Sequence, residues 1–153
     1  MNSFFKTILI CTLMFTASIS QADVSLKDTH GNSTQFSQLK GKWVILNFWA
    51  GWCESCVEEI PELNRFYKNI PSNVVFYGVN QDAMSSSAQK AMIKKLNIQY
   101  PVLLSNPARA LKLGNIVGIP ATFVFNPEGK LVKKMYGNQT SRSLSKIVKS
   151  GKK

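Results

Sequence analysis

NFWAGWCESCVEEIP, residues 47–61, carries two of the chain's three cysteines at Cys-x-x-Cys spacing. Ahead of it, WVILNFWA (43–50) is a continuous apolar run, the pattern of a central strand buried on both faces. Behind it, Val57, Ile60, Leu63, Asn64 and Tyr67 recur at helical spacing as far as Asn69, and Pro61 is expected to kink that segment. Cys53 therefore falls just after a strand-to-helix turn. Unsatisfied backbone amides and the helix dipole favour a thiolate at that position. Cys56 lies one turn later on the same face. The expectation is an exposed, reactive Cys53 and a shielded Cys56 able to resolve a mixed disulfide.

The pair has other readings. As a structural staple it would close a very short loop, which removes little unfolded-state entropy. As a zinc site it would need four ligands, and the chain has a single histidine, His30, in an N-terminal turn. A copper-binding assembly factor using Cys53, Cys56 and His30 stays open as an alternative without turnover. A peroxidase is disfavoured, because no Pro-x-x-x-Thr/Ser-x-x-Cys pattern precedes Cys53.

Outward from the motif, residues 23–42 hold two short alternating segments around the turn THGN, a small hairpin. NVVFYGVNQD (73–82) reads as a second buried strand, and residues 85–98 as an amphipathic helix opened by capping serines. YPVLLS (100–105) is a short strand, PARALKLGN (107–115) a short helix stopped by Gly114, and residues 121–137 a hairpin turning at NPEG. A last helix spans 140–151, capped by Thr140 or Ser141. The order implies an α/β fold with a mixed sheet. A Cys-x-x-Cys beside a βαβ pattern reads as a thioredoxin-like redox motif.

At 153 residues, 44% of them hydrophobic, the chain is one domain with a real core. Lys6 followed by ILICTLMFTASI (8–19) and Ser20-Gln21-Ala22 reads as a signal peptide over residues 1–22, leaving a domain over 23–153. The apolar run, 12 residues long, is shorter than the roughly 20 that span a bilayer; an uncleaved anchor is the alternative. Cleavage would remove Cys11 and leave the pair in an oxidising compartment. The net charge is +11, spread along the chain without the basic stripe and stacking groups of a nucleic-acid surface. Weak attraction to an anionic membrane or an acidic partner stays open.

LNFWAGWCESC (46–56), then EEIPEL (58–63), then GIPATFVFNPEGKLV (118–132) together resemble the thioredoxin superfamily. More narrowly, they resemble the exported thiol-disulfide oxidoreductases of the TlpA/ResA/DsbE type. The resemblance spans nearly all of residues 23–153. It implies a thioredoxin-like fold, a mixed central sheet flanked by helices with an N-terminal β-hairpin. It implies Cys53 as nucleophile, Cys56 as resolving cysteine and Trp52 as the aromatic that shields the pair. Pro120 would be cis beside the disulfide, exposing the Ile119 backbone to a substrate strand. Thioredoxins place a buried Asp six residues before the first cysteine; here that residue is Asn47, and Glu59, three residues after Cys56, is the implied proton acceptor. Ser55 replaces the usual proline between the cysteines, so Glu54 and Ser55 are expected to tune the potential.

The expectation is a periplasmic protein disulfide oxidoreductase with no cofactor and no metal. It would act as a monomer, reduce exported proteins, and be re-reduced by a DsbD/CcdA-type membrane donor. A role in cytochrome c biogenesis is implied, and a disulfide-donating oxidase is the rival direction.

Overall fold

In the computed structural model, residues 23–150 are described. The signal peptide expected over 1–22, Cys11 and the last residue of the expected C-terminal helix lie outside them. β1 (Ser25–Lys27) and β2 (Ser33–Gln35) form the expected antiparallel hairpin. Asp28 shapes its turn by accepting the N–H groups of His30 and Asn32. A 3-10 turn, Phe36–Leu39, then leads into β3 (Trp43–Trp49), buried along its whole length.

β3 is the centre of a five-stranded sheet ordered β5-β4-β3-β6-β7. It runs parallel to β4 (Val74–Asn80), which runs parallel to β5 (Val102–Leu103). On its other side it pairs antiparallel with β6 (Ala121–Phe125), which forms the expected hairpin with β7 (Leu131–Tyr136). β5 is shorter than the expected 100–105 because Pro101 has no N–H to give the ladder. The N-terminal hairpin covers the edge there: Thr29 N–H donates to Val102 O and Leu104 N–H to Lys27 O (2.9 and 2.8 Å).

The period of two along β3 divides the core. Trp43, Ile45 and Trp49 join one cluster with Ile60, Leu63 and Phe66 of α1 (Glu54–Lys68), Leu144 and Val148 of α3 (Ser141–Ser150), and Met92 and Ile93 of α2 (Ser86–Lys95). Val44, Leu46 and Phe48 join another, closed by Leu26, Phe36, Leu39, Leu111 and Leu113. All three helices therefore pack against the first cluster.

The helix expected over 107–115 does not form, so the second cluster is roofed by the hairpin and loops. Residues 107–113 make a single turn closed by Leu111 N–H to Pro107 O (2.9 Å). Lys112, at φ +53°, then leaves the right-handed region and stops propagation before Gly114 is reached. The helix α1, by contrast, runs through Pro61 to Lys68.

Gly78 of β4 lies opposite Asn47 of β3. A Cβ on it would come within 2.9 Å of the Tyr100 ring and 3.1 Å of the Trp49 indole nitrogen, both inside the core. Gly78→Ala should therefore destabilise the protein by about 1–3 kcal/mol through overpacking. Denaturant unfolding checks this, and a loss below about 0.5 kcal/mol would show that these rings yield freely.

Candidate active site

β3 ends at Trp49, and four residues later Cys53 serves as the N-cap of α1. Its sulfur accepts the N–H of Cys56 at 3.2 Å. Cys53 and Cys56 are joined by a disulfide. The first turn of α1 thus directs the Cys56 amide at the Cys53 sulfur, the arrangement that stabilises a thiolate after reduction. The Ile119–Pro120 bond is cis. The Ile119 carbonyl oxygen lies 3.8 Å from the Cys53 sulfur, so residues 66 positions apart share one site. The Ser55 hydroxyl stands 3.6 Å from the same sulfur.

Two expectations about exposure change. Cys53 is nearly as covered as Cys56, at 6% against 1% exposed, because the disulfide is closed under the Ile119 carbonyl. Trp52, expected to shield the pair, is itself 75% exposed, a large apolar side chain open to solvent next to Cys53 in the chain. Glu54 is exposed on the first turn.

Glu59 is the reverse of a surface acid: it is buried, on the same helix as Cys56. One oxygen accepts from the Asn47 side-chain amide (2.7 Å), the other from the Gln139 backbone N–H (2.8 Å). Asn47 also donates to the Thr122 hydroxyl. Neither sulfur is among Glu59's hydrogen-bond partners in the described residues. Burial raises the Glu59 pKa above its ordinary 4.5, and the bonds from Gln139 and Asn47 only partly oppose this. Tyr100 is fully buried nearby; burial and then the Glu59 charge keep its phenol protonated.

Sequence reasoning missed Gln139 and Tyr100, which carry no motif and come near Glu59 only through the fold, and Thr122, which accepts from Asn47. Gly51, in the loop ahead of Cys53, has no room for a side chain, because a Cβ there would collide with the Met92 thioether of α2. His30 sits in the hairpin turn beside Asp28. Among the described residues no three His, Cys, Asp or Glu side chains gather in a metal-binding group, so His30 does not join the cysteine pair.

Comparison with known proteins meets this geometry. The sequence profile described as the AhpC/TSA family matches residues 20–134. The chain is 35% identical over 146 residues to the thiol-disulfide oxidoreductase ResA of Bacillus subtilis, covering 87% of this chain and 82% of that one. This chain belongs to the AhpC/TSA family, among its ResA-like members. The fold of StoA from Bacillus subtilis superposes with a TM-score of 0.70 at 26% identity, over 82% of this chain and 96% of that one. The exposed lipoprotein thioredoxin of Streptococcus pneumoniae gives 0.73 at 28% identity, over 84% and 99%. The ResA-like chain is thus a protein disulfide oxidoreductase with a thioredoxin-like fold. The peroxidase motif that the family description invites is not present before Cys53, where Leu46 and Ala50 occupy its Pro and Thr/Ser positions.

The buried Glu59 has a linkage consequence. Its folded-state pKa is raised, so between 4.5 and that higher value the folded state holds more protons than the unfolded chain. Stability must then fall as pH rises through that window and level off above it. Glu59→Gln removes this slope and still folds: Asn47 can turn its amide, offering the Oδ1 that has no partner among the described residues to the new side-chain N–H. Denaturant melts from pH 4 to 8 should show the variant gaining on the wild type as pH rises. Parallel curves would place Glu59 at its ordinary pKa.

Proposed function

We propose that this protein is an exported reductase of disulfides in other exported proteins. Supporting export are the apolar run over residues 8–19 and the exposed lipoprotein thioredoxin among its structural relatives. The observation that carries the chemistry is a Cys-x-x-Cys pair capping α1 with one buried carboxylate, Glu59, one turn further along.

After reduction, the Cys53 thiolate attacks one sulfur of a partner's disulfide, and the partner's other sulfur leaves as a thiolate and takes a proton. The Cys56 thiol gives its proton to Glu59 and attacks the Cys53 sulfur, expelling the partner's second sulfur as a thiol. Two electrons pass from the pair to the partner; one proton comes from Cys56 by way of Glu59, and the other, taken by the first sulfur to leave, comes from solvent. The Ile119 backbone and the exposed Trp52 receive the substrate segment beside Pro120. A DsbD/CcdA-type membrane protein returns the electrons, and the haem-binding cysteines of apocytochromes c are the substrates that the resemblance favours. The cell compartment is the periplasm or its equivalent outside the cytoplasmic membrane.

Two experiments test this reading. Cys53→Ser should abolish insulin disulfide reduction, whereas Cys56→Ser should accumulate mixed disulfides, because attack proceeds without resolution. Equal trapping by both variants would reverse or dissolve the assigned roles.

The direction rests on the potential. Proteins of this fold range from about −270 mV for thioredoxin to about −120 mV for the oxidant DsbA. The Ser55 hydroxyl, 3.6 Å from the Cys53 sulfur, can donate to a thiolate and raise the potential by stabilising the reduced form. The charges of Glu54 and Glu58 oppose a thiolate and lower it. The result expected is a moderately reducing pair. Position 55 is the second residue of α1, where proline costs no helix bond. Ser55→Pro should lower the potential by roughly 30 mV, about 1.4 kcal/mol for a two-electron couple. A wild-type value near that of DsbA would make the protein an oxidase, and an unmoved potential would remove Ser55 from the account.

A further inference from the structure

The C-terminal ends of β3 and β4 open onto more than the disulfide. A groove of about 760 Å³ lies there, lined by Gln81, Asn106, Arg109, Lys112, Asn115 and Ile116, with Ala108 and Gly114. Gln81 closes one wall, its N–H bonded to Trp49 O at the end of β3 (2.8 Å) and its side chain to Asn106 (3.2 Å). Asn115 and Ile116 lead from the groove into the segment that ends at Ile119 and Pro120. The groove thus sits where ligands collect in open α/β sheets, outside the carboxyl ends of parallel strands.

The chemistry of the lining is one-sided. It holds two cations, three amides and no carboxylate. Neither Arg109 nor Lys112 forms an ion pair among the described residues. Lys112 holds a left-handed φ of +53°, a placement that costs free energy in a residue with a side chain. Asp82, the acid next to Gln81 in the chain, does not line the groove; its carboxylate accepts the Gly51 N–H at 2.9 Å.

We propose that this groove is a specificity site that holds an acidic segment of the substrate protein while Cys53 reacts with its disulfide. The inference rests on the oxidoreductase reading and adds the class of substrate. Ile116 lies three residues from Ile119, hence within about 11 Å of it along the chain. An extended substrate advances about 3.3 Å per residue, so the acids that reach the groove lie roughly three to seven residues from the attacked cysteine. Amide side chains from Gln81, Asn106 and Asn115 supply donors for the same carboxylates and for the peptide backbone between them.

The test compares peptides carrying one cysteine in a mixed disulfide with a small thiol. One set places aspartates three to seven residues from the cysteine on either flank, one places them at ten to twelve, and one is neutral. The near-acid peptide should have a kcat/KM about five- to tenfold above the neutral one, as expected for two exposed charge pairs, and the ratio should shrink with added salt. Arg109→Gln/Lys112→Gln should bring that ratio to about one, while Lys146→Gln/Lys149→Gln on α3, which removes the same net charge elsewhere, should keep it. Equal ratios for all peptides, or equal loss in the two double variants, would overturn the proposal in favour of no preference or of net charge alone. The near-acid peptide with serine for cysteine should shift the backbone NMR signals of residues 106–116 without any redox step. That signal decides the groove even if no peptide is reduced, which would instead sink the reductase reading; unchanged signals at 106–116 would sink the groove.

Discussion

A carboxylate held out of water at the joint between sheet and helices is the constraint on which this site depends. Glu59 belongs to α1, its amide partner Asn47 to β3, and its backbone partner Gln139 to the segment just before α3. One turn along α1, Glu62 accepts the N–H of Ser141 at 3.0 Å, so two carboxylates of α1 receive the start of α3. Removing a charge from water is costly, and it is tolerated here because both oxygens are matched by donors. Neither donor is a cation, so burial still dominates and the group stays a stronger base than a surface glutamate.

That arrangement gives the motif its division of labour. Cys53 caps α1, with the Cys56 N–H and the Ile119 carbonyl at its sulfur, and Cys56, one turn on, is buried at 1% exposed. In the proposed mechanism the thiol that attacks a partner is Cys53, whose anion a helix terminus would stabilise. The thiol that resolves needs to lose its proton only after the mixed disulfide forms, and in the proposed mechanism the buried Glu59 carboxylate is the group that takes it. An Asn at position 47 in place of an acid fits the same logic: two ionised acids so close together would each resist the other's charge. The β-hairpin, the 3-10 turn and the 107–113 turn roof the opposite face and leave the carboxyl ends of the strands open to a partner.

Much of this was legible in the sequence because its signals are local. The continuous apolar run 43–50 gave a strand buried on both faces, the serine before residue 86 gave a cap, and NPEG gave a hairpin turn. The cysteine pair followed from its own spacing, whereas the cis Pro120 and the choice of Glu59 followed only from the family resemblance. Contacts across long separations were not legible: Gln139 lies 80 residues from Glu59, and Thr122 lies 75 from Asn47. Backbone N–H donors such as that of Gln139 leave no trace in residue type at all. The short helix over 107–115 failed for a local reason that composition hides, the left-handed turn at Lys112. The cover over Cys53 comes from a loop that only tertiary folding brings near.

The central claim is that Glu59 is a poised base that exchanges a proton with Cys56. The most direct measurement is a carbon-13 NMR titration of the Glu59 carboxyl in the oxidised and in the reduced protein. The account predicts a midpoint above the ordinary 4.5 in both states, and a curve that changes on reduction because the carboxylate and the Cys56 thiol then titrate as a coupled pair. A Glu59 that titrates near 4.5, with the same curve in both states, would contradict it.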